Sequence, residues 1–233
     1  KRLYIAADGA RVNRLNEVEL CRQTREIILK IDWECEVKTL FRENNLGCKY
    51  AVSSAIDWFF ANEDEGIILE DDCLPSESFF VFCDTMLERY RFDTRIRHIG
   101  GSNLQMGKTY GNASYYFSNL THVWGWASWS RSWKDYDVEL AKYKELEIEN
   151  AFKSIFNSSI LVEGWVSIFN KLIKNQIDTW DYQWAITNFF NNGLSIIPNV
   201  NLISNIGFGE NATHTNNPND SFSNIKIEKI LEI

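Results

Sequence analysis

The run Gly66-Ile67-Ile68-Leu69 constrains the fold most tightly, because it is continuously apolar and stops at three acids, Glu70-Asp71-Asp72. A short strand without polar alternation is buried on both faces, which calls for layers on either side of its sheet. Upstream, Leu3 to Ala7 reads as a short apolar strand closed by the turn pair Asp8-Gly9. Asn16 and Glu19 have capping-box spacing, and Leu20, Thr24, Ile27, Ile28 and Ile31 continue at helical spacing. Cys35 to Phe41 alternates as a strand, Asn44-Asn45-Leu46-Gly47 closes it, and a second helix carries Ala51, Ala55, Trp58 and Phe59 on one face. The order β-α-β-α-β predicts an α/β fold with a mainly parallel central sheet, helices on both faces and ligands at the carboxyl ends of strands. Asp8 and the acidic triplet both fall at such ends.

Further along, residues 77–91 read as a helix and Ile96 to Gly101 as a strand, followed by a polar loop over 102–123. Four Trp (124, 126, 129 and 133) crowd the next stretch, at spacings that suit a helical core. Residues 139–192 are mostly helical in pattern, Leu194 to Ile197 and Asn201 to Ser204 read as short strands, and 207–233 is expected to be a mobile, Asn-rich tail. No repeat or Pro/Gly-rich linker divides the chain, so one domain over 1–233 is expected.

Aromatics make up 14% of the residues, which excludes a disordered chain. The net charge of −8 argues against a nucleic-acid surface or an anionic membrane surface. A phosphate-bearing small molecule would need that charge offset, most simply by a divalent cation held on carboxylates. No apolar run reaches the roughly 20 residues that span a bilayer, and no secretory signal opens the chain. The odd, scattered cysteines (21, 35, 48, 73 and 83) lack zinc spacing and read as buried reduced thiols of a cytoplasmic protein.

Three carboxylates at the end of an apolar strand repel one another unless a cation or hydrogen-bond donors offset them, so a hard-metal site with oxygen ligands competes here with a solvated helix start at Ser76-Glu77. The surrounding pattern resembles the GT-A nucleotide-sugar glycosyltransferases, in their N-acetylglucosaminyltransferase I-like branch. The resemblance rests on Glu70-Asp71-Asp72 before the Phe-rich segment 79–82, Ala6-Ala7-Asp8, Ile99-Gly100-Gly101-Ser102-Asn103, Val123-Trp124-Gly125-Trp126, Thr179-Trp180-Asp181-Tyr182-Gln183-Trp184 and the late Gly207-Phe208-Gly209. These blocks fall in the family's order over nearly the whole chain.

The resemblance implies a three-layer α/β/α sandwich and an inverting, metal-dependent transfer of a sugar from a UDP-sugar to a hydroxyl of a glycan or lipid-linked saccharide. It places Asp72 and His214 on Mn²⁺ or Mg²⁺, and Asp71 and Glu70 toward the ribose and donor sugar. Asp8 would accept from the uracil imide, with Lys49, Trp126 and Trp180 completing the nucleotide-sugar site. Asp181 would be the catalytic base, with Asp178 its nearest rival. Family members carry a further strand and helix before the Asp8 strand, which are expected to be missing here. His98 and His122 match no family position and read as structural. The competing functions are a sugar-nucleotide nucleotidyltransferase, for which Asp8-Gly9-Ala10-Arg11 would be the remnant of a phosphate loop, and a non-catalytic carbohydrate-binding domain. Bacterial surface-polysaccharide assembly at the inner face of the membrane is the expected setting.

Overall fold

The computed structural model describes residues 1–209, 221–223, 225–230 and 233. In chain order its elements are β1 (Arg2–Ala7), α1 (Glu17–Arg25), β2 (Glu36–Phe41), α2 (Gly47–Phe60), β3 (Glu65–Ile68), β4 (Cys73–Pro75), α3 (Glu77–Tyr90), β5 (Ile96–Gly100), β6 (Tyr115–Ser118), β7 (Trp126–Trp129), α4 (Ser130–Trp133), α5 (Ile148–Lys153), α6 (Ser159–Ile173), α7 (Asp181–Phe190), β8 (Leu194–Pro198) and β9 (Ile203–Asn205). They belong to two units, one made of Lys1–Asn62 with Val138–Tyr182, the other of Glu63–Asp137 with Gln183–Ile233. Among the described residues no helix is long and apolar enough to cross a membrane.

In the first unit β1 and β2 pair in parallel from Arg2↔Glu36 to Ala7↔Phe41, as the strand-helix-strand order predicts. The expected capping box does not form. Asn16 sits at φ 68° with no side-chain bond to the helix, and the Glu19 carboxylate is taken by Arg22 and Gln23. An ion pair at this spacing competes for the very group that would have reached back to the cap. The buried side of α2 is Lys49, Ser53, Ile56 and Phe60 rather than the expected Ala51, Ala55, Trp58 and Phe59. The latter four are half-buried, with Trp58 and Phe59 packed edge-on against Tyr4 of β1.

In the second unit a five-stranded sheet runs β3-β7-β5-β8-β6. It is mixed rather than mainly parallel. β7 is antiparallel to both β3 and β5, β8 is parallel to β5, and β6 is antiparallel to β8. The antiparallel members come from segments that read as a polar loop (β6) and as a helical Trp run (β7). β4 and β9 form a separate antiparallel pair. α3 starts on Ser76, whose hydroxyl accepts the Phe79 N–H at 3.2 Å. Its Phe79, Phe82 and Met86 pack on Ile99, Ala127, Trp129, Ile196 and Ile203 to form the core. Truncating either Phe to Ala would cost about 3–5 kcal/mol.

Candidate functional site

All carboxyl ends of the parallel strands in the second unit lie on one edge of its sheet, because β3, β5 and β8 run the same way and β7 enters from that edge. Four segments gather there: Leu69 to Asp72 after β3, Gly101 to Asn103 after β5, Trp124-Gly125 before β7, and Asn199 to Leu202 after β8.

The contacts among them are close. Gly101 N–H donates to Gly125 O at 2.8 Å, and the Ser102 hydroxyl donates to Trp124 O at 2.9 Å. Gly125 sits at φ +61°, and a Cβ there would lie 2.6 Å from the Ile203 side chain, so both conformation and space demand glycine. β9 then carries the chain back past the acids. Ile206 N–H donates to the Asp72 carbonyl at 2.8 Å, and Gly207 N–H donates to Asn205 Oδ1 at 2.8 Å. A Cβ on Gly207 would stand 2.4 Å from Asp72 Oδ2, so the carboxylate lies flush against bare backbone. Phe208 packs edge-on against Trp124, with centroids 5.6 Å apart. Asp71 is exposed, and Glu70 and Asp72 are half-exposed. The Cys73 thiol donates to Asp72 Oδ1 at 3.6 Å, and burial pushes it up to about 12, so it stays protonated beside that acid. None of the described cysteines is in a disulfide; Cys83 is buried and the other four are half-buried.

The acidic triplet, the Trp124-Gly125 turn and the Gly207-Phe208 segment are thus neighbours. Asn201 and Asn205 were missed by sequence reasoning. Asn201 donates to Ile203 O at 2.6 Å and accepts from Asn103 N–H at 3.0 Å, pinning β9. The signal was an unusual run of asparagines (199, 201, 205) among apolar residues.

Two Trp residues expected at the site belong to the core instead. Trp126 has no exposed surface; its ring stacks on His98 at 5.3 Å and packs tilted against Trp184 and Trp133. Trp180 is 1% exposed. A ring enclosed on both faces by protein offers nothing to a sugar. His98 is buried too, as expected of a structural residue: Nε2–H donates to His122 O at 3.0 Å, and Nδ1 accepts the Trp184 Nε1–H at 3.2 Å. Burial pushes the imidazole down to about 3.

Asp8 lies in the first unit, at the carboxyl end of β1, where its carboxylate holds the loop before α2. It accepts from Gly9 N–H at 2.9 Å, Leu46 N–H at 3.0 Å, Gly47 N–H at 3.1 Å and Asn45 Nδ2 at 2.8 Å. Asp178 Oδ1 accepts the Lys49 N–H at 3.0 Å, so the positive end of α2 is met by two carboxylates of the chain itself. Lys49, expected to face an anionic ligand, is 6% exposed and pairs with Glu139 at 2.9 Å. The Tyr50 hydroxyl and then the Lys49 ammonium hold the Glu139 carboxyl below its ordinary value. Asp181 opens α7 in the same unit and accepts from the Thr179 hydroxyl. Burial, and then the Asp181 charge, raises the Tyr182 phenol.

His214 lies outside the described residues. Among those described, no three His, Cys, Asp or Glu side chains form a set that would hold a metal ion unaided. The chain matches no protein-family model and no curated protein sequence.

Proposed function

We propose that the chain is a metal-dependent glycosyltransferase that moves a sugar from a UDP-sugar to a hydroxyl of a glycan or lipid-linked saccharide, with inversion and within a GT-A-like three-layer architecture. The observation that carries this reading is the seating of Gly207 against Asp72 at the carboxyl end of β3, which joins three separated sequence blocks at one acidic strand end. Small, hard cations are commonly bound through one or two carboxylates together with substrate phosphates, not by a protein cage. A half-exposed Asp72 flanked by Glu70 and Asp71 fits that mode. Asp72 would hold Mn²⁺ or Mg²⁺, with His214 as the second assigned ligand. A bound cation would offset the diphosphate charge on a chain already at −8. Glu70 and Asp71 bind the ribose and donor sugar, and Asp181 takes the acceptor proton.

The competing functions draw less support. The Arg11 guanidinium is paired with Glu17, which leaves Asp8 to Arg11 a poor triphosphate loop. Five of the nine Trp (126, 129, 133, 180 and 184) are buried, so most of the Trp content is core and not a sugar-binding surface.

Calorimetric titration with UDP, with and without Mn²⁺, tests the proposal. Binding should require the metal, and Asp72→Asn should remove it while leaving the melting temperature near that of the wild type. UDP binding that persists unchanged in excess EDTA overturns the reading.

A further inference from the structure

The loop between β5 and β6 is held by buried asparagines and presents the exposed ring of Tyr110 beside the half-buried ring of Tyr116 on β6. Asn199, 8% exposed, grips it with both ends of its amide: Tyr110 N–H donates to Oδ1 at 2.8 Å, and Nδ2 donates to the carbonyls of Tyr110 and Ala113 at 2.8 Å. Asn103 adds a bond from Nδ2 to Pro198 O at 2.8 Å and accepts Gln105 N–H at 2.8 Å. The backbone at Tyr110 is therefore fixed before anything binds, yet its ring is 50% exposed. The Tyr110 and Tyr116 rings lie 4.9 Å apart, tilted by 49°. Gln105 lies beside them, its Oε1 accepting the Tyr110 hydroxyl at 3.3 Å.

We propose that Tyr110, Tyr116 and Gln105 form a saccharide-binding platform for an extended glycan lying along the carboxyl edge of the mixed sheet. Flat apolar faces interrupted by two hydroxyls and an amide suit a ligand that is both apolar and hydroxylated, as a sugar ring is. Rigid tyrosines lose little conformational entropy when such a ligand docks. Tyr110 is anchored at the end of β8, three strand positions from β3 in the order β3-β7-β5-β8-β6. That separation is about 14 Å at ordinary strand spacing, so a ligand touching both the platform and the acidic end must be an oligosaccharide. The proposal deepens the transferase reading and rests on it for the ligand's chemical class.

The test is calorimetry and saturation-transfer NMR with maltohexaose, cellohexaose, chitohexaose and their monosaccharides, alongside UDP with Mn²⁺ on the same samples. At least one hexasaccharide should bind more tightly than its monosaccharide. Tyr110→Ala should weaken it roughly tenfold or more, and Tyr110→Phe should keep it because the ring remains. UDP binding should be equal in all three proteins. Absence of hexasaccharide binding, or equal binding by Tyr110→Ala, overturns the platform. Hexasaccharide binding that depends on Tyr110, in a protein that binds no UDP with Mn²⁺, keeps the platform and sinks the transferase reading instead.

Discussion

Asp8 and His98 are both polar residues spent on holding structure, one at a strand end and one in the core. Asp8 was legible as a strand-end acid, but its four N–H donors come from residues as distant as Gly47, and no local pattern announces them. His98 makes a pH prediction. Its imidazole titrates near 6.5 when the chain is unfolded and near 3 when folded, so the unfolded state takes up a proton that the folded state refuses. Stability from this residue is complete above pH 6.5 and is lost as pH falls from 6.5 toward 3. Chemical denaturation across that window should show His98→Gln with a shallower pH slope than the wild type, by up to about 1.4 kcal/mol per pH unit. Parallel curves for the two proteins refute the assignment.

At the scale of elements, strands with apolar runs and helices with periodic apolar residues were readable, and strands made of aromatics were not. The helix start read at Ser76-Glu77 is the start of α3, with Ser76 as its cap, and Gly66 to Leu69 locates β3 to within a residue. β7 is WASW, buried at all four positions, so its pattern has no polar face to reveal a period of two. β6 was concealed in a stretch whose Gly, Asn and Ser content reads as loop. The meeting of Asp72, after β3, with Gly207, after β9, depends on the antiparallel pairing of β4 (73–75) with β9 (203–205), a separation no short motif encodes. That meeting makes a prediction at Gly207. Gly207→Ala places a Cβ where the Asp72 carboxylate now rests, so the acid must shift. Metal-dependent UDP affinity should fall about tenfold or more with little change in melting temperature. Unchanged affinity would mean that the position of Asp72 does not matter to binding.

The proposed transfer needs donor, acceptor and base to act together, and Asp181 is the residue at which it is most directly tested. Asp181→Asn should bind UDP and Mn²⁺ as the wild type does, unfold at nearly the same temperature, and lose about 10²- to 10⁴-fold in transfer rate. A product that keeps the donor's anomeric configuration would rule out this role. Each unit is stitched from two separate stretches of chain, with Lys49 on the first stretch and its partners Glu139 and Asp178 on the second. During synthesis residues 1–62 leave the ribosome with an apolar helix and a lysine destined for burial, but without the carboxylates that will meet its ammonium and its backbone N–H. At about 5–20 residues per second, more than a hundred further residues take several seconds to arrive. Each unit closes on a later stretch, the first on residues 138–182 and the second on residues 183–233, so neither can finish folding until most of these residues have been made.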